Sequence, residues 1–138
     1  MKTLRIILFF ASIVFFNSCE TFDWFQTDSG LNEKIQGTWQ REFLGDTSKD
    51  YIEDWKFKDG KIVITHQKNN TVDTIDYGNY SMDAKINVSY LKIDGLTVDS
   101  TVIQYNNKWT ITQLDSKILY LATDYKTGGV LQREFEKK

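Results

Sequence analysis

Proline is absent from all 138 residues of this chain, and cysteine and histidine occur once each, as Cys19 and His66. Without proline no backbone donor is removed from a strand ladder, so long unbroken strands are open to the chain. A single cysteine allows no internal disulfide, and the core must hold the fold together even in an oxidising compartment. One histidine beside one cysteine offers no zinc-ligand spacing, and neither a metal nor any other cofactor is expected. Runs of basic residues are missing as well. Seventeen Lys and Arg stand against nineteen Asp and Glu; setting aside Lys2 and Arg5 of the N-terminal segment leaves fifteen basic residues and a net charge of −4. Such a domain lacks the electrostatic footprint that a phosphate backbone requires, which excludes nucleic acid as an expected partner. The length has room for one domain.

What the chain has in quantity is aromatic: four Trp, seven Tyr and nine Phe, residue types that suit a pleated, half-buried surface. From Gly37 onward apolar residues recur with period 2. Trp39, Arg41 and Phe43 alternate with Thr38, Gln40 and Glu42, and Tyr51, Glu53, Trp55 and Phe57 alternate with Ile52, Asp54, Lys56 and Lys58. Asp59-Gly60 supplies the two positive-φ positions of a tight hairpin. Further strands are predicted over Ile62 to Gln67, Thr71 to Met82 with a bend at Gly78, Ile86 to Ile93, Leu96 to Tyr105, Lys108 to Leu114, Ile118 to Thr123 and Val130 to Glu136. About eight to ten short strands joined by hairpin turns must curl shut or split into two layers, and sequential hairpins favour an antiparallel up-and-down β-barrel. Just upstream, Ser29 as N-cap with Leu31 and Ile35 four apart predicts a short helical turn able to close one barrel end.

The N-terminus is built differently. Lys2 and Arg5 precede the apolar run Ile6 to Phe16, which is too short to cross a bilayer at about 20 residues and fits the core of an export signal. The tail Phe16-Asn17-Ser18-Cys19 resembles a lipobox, the cleavage motif of bacterial lipoproteins, with the looser form seen in Bacteroidota. That resemblance implies cleavage after Ser18 and acylation of Cys19, whose lipid would tie the protein to the cell envelope, with the outer membrane as the expected site. The organisation is then a signal at 1–18, a lipid-anchored tether at 19–34 and a barrel domain at 35–138.

The barrel segment carries a second resemblance. Gly37-Thr38-Trp39 resembles the Gly-x-Trp signature on the first strand of lipocalins, and Trp55-x-Phe57 with Asp59-Gly60, Gly78-x-Tyr80 and Trp109-Thr110-Ile111 resemble later strands of lipocalin-like lipoproteins. The resemblance implies an all-β, lipocalin-like barrel with Gly37 and Trp39 at its floor, and a basic residue from the last strand packed over Trp39, a place matched by Arg133. The family's usual ligands do not carry over, but a barrel of this size can hold one small hydrophobic or amphipathic ligand, and the inward aromatic stripes would line its cavity with Trp55, Phe57, Tyr80 and Tyr90. The other reading of the same aromatic stripes is a filled barrel that serves as an envelope scaffold for a protein partner whose identity the sequence does not give.

Catalytic constellations are not evident. His66 lies near a strand end with no Gly-x-Ser-x-Gly elbow in the chain. Ser89 and Lys92 match Ser-x-x-Lys spacing, but three residues apart on a strand they point to opposite faces. Glu53 and Asp54, as strand neighbours, also diverge and cannot act on one bond. No catalytic residue is assigned, and the domain is expected not to be an enzyme.

Overall fold

The computed structural model describes residues 26–42, 51–98, 104–124 and 128–138. One helix, α1 (Asp28–Ile35), is followed by eight strands, β1 (Gly37–Glu42), β2 (Ile52–Lys58), β3 (Lys61–Lys68), β4 (Thr71–Ala84), β5 (Ser89–Asp94), β6 (Asn107–Leu114), β7 (Ile118–Asp124) and β8 (Val130–Lys137). Each strand pairs antiparallel with the next, and β8 returns to β1, closing an up-and-down barrel. Closure leaves no free sheet edge.

Alternation decides the wall. Along β2, Glu53, Trp55 and Phe57 are buried while Lys56 and Lys58 are exposed; along β8, Arg133 and Phe135 are buried while Gln132, Glu134 and Glu136 are exposed. The outer surface is therefore largely polar and the interior aromatic, the reverse of a membrane-spanning barrel, whose apolar residues face outward. Among the described residues no helix is long and apolar enough to cross a membrane.

Strand direction sorts the connections into two ends. One end carries α1, the Asp59-Gly60 turn, the β4–β5 turn at 85–88 and the β6–β7 turn. The opposite end, the mouth, carries the Asn69-Asn70 turn and the β5–β6 connection. Both two-residue turns have positive φ at each position, 50° and 77° at Asp59-Gly60 and 49° and 65° at Asn69-Asn70, as the twist of a tight hairpin demands. The N-cap of α1 is Thr27, not Ser29: its side chain accepts from the backbone N–H of Gly30 at 3.1 Å. Leu31 and Ile35 are both buried beneath it, as their spacing requires.

Three predicted strands take other forms. Leu96 to Tyr105 contributes no strand within its described part. Leu96 and Tyr105 are instead buried near the two described ends of the β5–β6 connection, and Gln104 beside Tyr105 sits at φ 47°. The carboxamide of Asn106 accepts from the N–H of Leu96 and donates to its carbonyl, standing in for a neighbouring strand. Asp76 on β4 accepts from Thr97 Oγ1 and from the N–H of Val98, pinning the connection to the wall. The strand expected from Ile86 begins only at Ser89, because 85–88 is a turn closed by the Lys85 N–H to Val88 carbonyl bond. Strand β4 runs unbroken through Gly78. The residue sits mid-strand, where a Cβ would lie 2.8 Å from the Asp94 carbonyl and 2.9 Å from Leu96 Cγ; its bareness admits the incoming connection. The β3–β4 irregularity falls instead between Ile64 and Thr65.

Candidate functional site

Register brings three polar side chains into one row. Glu53 pairs with Arg41 across β1–β2 and with His66 across β2–β3, so all three share the inner face two residues above Trp55. Two more groups arrive from elsewhere: Arg133 from β8 and Tyr105 from the β5–β6 connection. Glu53 Oε1 accepts from Trp55 Nε1 at 3.0 Å and Arg133 Nη1 at 3.1 Å, with Arg41 Nη1 at 3.9 Å; Oε2 accepts from Tyr105 OH at 2.5 Å and lies 3.1 Å from His66 Nε2. An ionised carboxylate only accepts, so His66 donates through Nε2. The imidazole also stacks on Tyr51, ring centroids 4.0 Å apart, and is about one-fifth exposed, with a side-chain relative exposure of 22%.

The electrostatics follow from this crowding. Burial alone pushes the Glu53 carboxyl up, but the hydrogen bonds of His66 and Tyr105 and the charges of Arg133 and Arg41 outweigh it and hold the group below its ordinary range. Burial pushes the Arg133 guanidinium down while Glu53 pushes it back up; guanidinium remains charged in proteins. Burial, followed by the Glu53 charge, drives the Tyr105 phenol far up, so it stays a neutral donor. Arg133 is further enclosed by rings, its guanidinium carbon 5.3 Å from the Trp55 centroid, 5.0 Å from Tyr105 and 5.2 Å from Trp109. A carboxylate saturated with donors has low proton affinity, and this geometry suits it to fixing parts in place better than to moving protons. Among the described residues, no group of three or more His, Cys, Asp or Glu side chains could hold a metal ion.

The expected site residues divide. Trp55, Phe57 and Tyr80 do face inward, but each is at most 5% exposed and packed against other rings: Trp55 to Phe135 at 4.7 Å and Phe57 to Tyr80 at 5.0 Å between centroids. Tyr90 is not a lining residue. It stands on the outer face of β5 under the Lys108 ammonium, 3.8 Å from its ring centroid, beside an open groove of about 440 Å³. Leu91 and Ile93 take the inward places on that strand.

Gly37 and Trp39 lie at the floor. Gly37 has φ 115°, open to glycine at little cost, and Trp39 donates through Nε1 to the Ile35 carbonyl at 2.7 Å, tying helix to barrel. Arg133 does not cover Trp39. Lys137, the register partner of Trp39, holds its ammonium 4.9 Å from that ring, and Arg133, four residues and two inward positions earlier on β8, stands in the cage around Glu53. Cys19 lies outside the described residues.

Glu53, Arg41 and Tyr105 join the site without belonging to any sequence motif. A signal existed for the first two, since both are charged residues on an otherwise apolar stripe. Taken together, the fold and site define a closed eight-stranded antiparallel barrel with buried aromatic rings inside it and a buried charge cluster under one end. Compared with known families, curated proteins and solved structures, the chain matches none.

Proposed function

We propose that this protein is a lipocalin-like, lipid-anchored lipoprotein of the bacterial envelope, in which a filled barrel serves as a rigid, non-catalytic interaction module, not as a carrier of small molecules. The observation that carries the choice between carrier and module is the packing: Trp39, Trp55, Phe57, Trp109 and Phe135 are each no more than 1% exposed inside the barrel. A small apolar ligand would need one of these rings to leave its place, and interiors packed to this degree resist such displacement. The Glu53 cluster supports the same reading, because it locks β1, β2, β3, β8 and the mouth connection to one carboxylate. Export and acylation at Cys19 rest on the signal-like segment and lipobox described above.

The test is native mass spectrometry of the detergent-extracted full chain together with titration of a hydrophobic fluorescent probe. The module reading expects a single apo mass and no saturable uptake. A co-purified small molecule, or one probe bound per barrel, would replace it with the carrier reading.

A further inference from the structure

The geometry points to an orientation: the barrel end carrying α1 and the β4–β5 turn is a lipid-contacting face, with Ile86 set among the headgroups and the mouth directed away from the membrane. This inference rests on the Cys19 anchor of the proposed function.

The first support is reach. Gln26 is the first described residue, seven residue steps beyond Cys19, and seven steps span at most about 25 Å when fully extended. A domain of about 100 residues has a radius of gyration near ~13 Å, and therefore a diameter of roughly 34 Å if treated as a sphere. The tether starts at the α1 end, so it is too short to let the mouth turn down onto the surface that holds the lipid.

The second support is how the tether leaves. Gln26 Oε1 accepts from Ser89 Oγ at 2.8 Å, and the Asp28 carboxylate accepts from the Ala84 N–H at 2.6 Å. These bonds clamp the start of the described chain to both strands that flank the 85–88 turn. The anchor and that turn are therefore drawn to the same side of the barrel.

The third support is what the turn presents. Ile86 is 84% exposed, the most exposed large apolar side chain among the described residues, at the tip of a turn held rigid by the Lys85 to Val88 backbone bond. Lys85, paired with Asp83 yet more than half exposed, stands beside it where lipid phosphates would lie. Between Gln26, Ile86, Val88, Ser89 and Ile111 a polar recess of about 270 Å³ opens outward, deep enough for part of a headgroup. An isoleucine in water gains by burial, and a contact only a few ångströms deep at an interface needs no large apolar patch when a lipid already holds the domain there.

The experiment reconstitutes the full acylated chain in phosphatidylethanolamine–phosphatidylglycerol vesicles doped with a nitroxide-labelled lipid. A polarity-sensitive dye is attached to Ile86→Cys or, at the mouth, to Val72→Cys; both positions are exposed, so neither variant disturbs packing. With the α1 end down, the dye at position 86 is quenched at least about threefold more than the dye at 72, as interfacial burial of about 5–10 Å requires. Co-flotation with vesicles and equal quenching, or stronger quenching at 72, overturns the orientation alone. A wild-type chain that takes up thiol dye at Cys19 and fails to float overturns the anchor, and the orientation with it.

Discussion

Glu53 and Arg133 stand 80 residues apart in the chain and 3.1 Å apart in the barrel, with side chains 1% and 5% exposed. A pair this deep is a weak source of net stability, because desolvating both charges offsets most of their attraction. Its strength shows when one member is removed. Glu53→Gln leaves Arg133 among three rings without its counter-charge and should lower unfolding free energy by about 3–5 kcal/mol, read from denaturant melts. The double change Glu53→Gln with Arg133→Met should recover part of that loss, because the buried guanidinium is gone while the Gln carbonyl can still accept from Trp55 or Tyr105. A single-variant cost under about 1 kcal/mol would show that the cluster is not the fastening inferred here.

Acid should act through the same carboxylate. Glu53 and Asp76 are both held below their ordinary range despite burial, Glu53 by His66, Arg133, Tyr105 and Arg41, and Asp76 by the N–H groups of Val98 and Tyr77 and by Thr97. Groups with depressed folded-state pKa contribute stability that is fully present above the unfolded values, about 4.3 for Glu and 3.9 for Asp, and is lost as pH falls through the folded ones. Stability should therefore hold from neutrality down to about pH 5 and decline steeply below it. In Glu53→Gln the plateau should be lower and the acid limb shallower. Equal slopes in wild type and variant, followed by tryptophan fluorescence, would remove Glu53 from the account.

Core truncation separates the carrier from the filled module. Trp39→Ala should cost about 3–5 kcal/mol, the range for a buried large aromatic, and so should Trp55→Ala. Tyr80→Ala should fall in the same class, since its ring packs on Phe57 and its hydroxyl accepts from Gln36 Nε2 at 2.7 Å. If Trp55→Ala and Tyr80→Ala each cost less than half of the Trp39 loss, the interior has slack and a ligand space is the better description.

Anchoring has its own check. Cys19→Ser removes the thiol that acylation requires and should move the protein from the membrane fraction to the soluble or unprocessed one. Unchanged mass and unchanged partitioning into detergent would end the lipoprotein reading.

Period-2 alternation and turn chemistry made the wall legible, since both are local. Trp39, Glu53, Trp55, Phe57, Arg133 and Phe135 occupy the faces their spacing assigns them. Partners were not legible, because they depend on the barrel's stagger: Arg133 was placed on the correct face but over Trp39 instead of among Trp55, Tyr105 and Trp109. Tyr90 faces outward because Leu91 and Ile93 take the inward places of β5, a choice that apolar residues on both faces of the strand leave open in the sequence. Leu96 to Tyr105 read as a strand because nothing local reveals that the Asn106 side chain, and not another strand, takes up the backbone groups of Leu96. His66 read as a bland strand-end residue, and its bond to Glu53 became visible only through the register of β2 and β3.

Among the described residues, the seam between β1 and β8 joins two residue pairs, Trp39 with Lys137 and Gln40 with Glu136. Every strand has a neighbour made just before or just after it, β2 in the case of β1, but the other edge of β1 waits for β8, the last strand of the barrel to be synthesised. Until then its edge stays open and Trp39 lacks its cover. Closure of the barrel is thus deferred to the end of synthesis of the domain, and its first strand needs shielding until then.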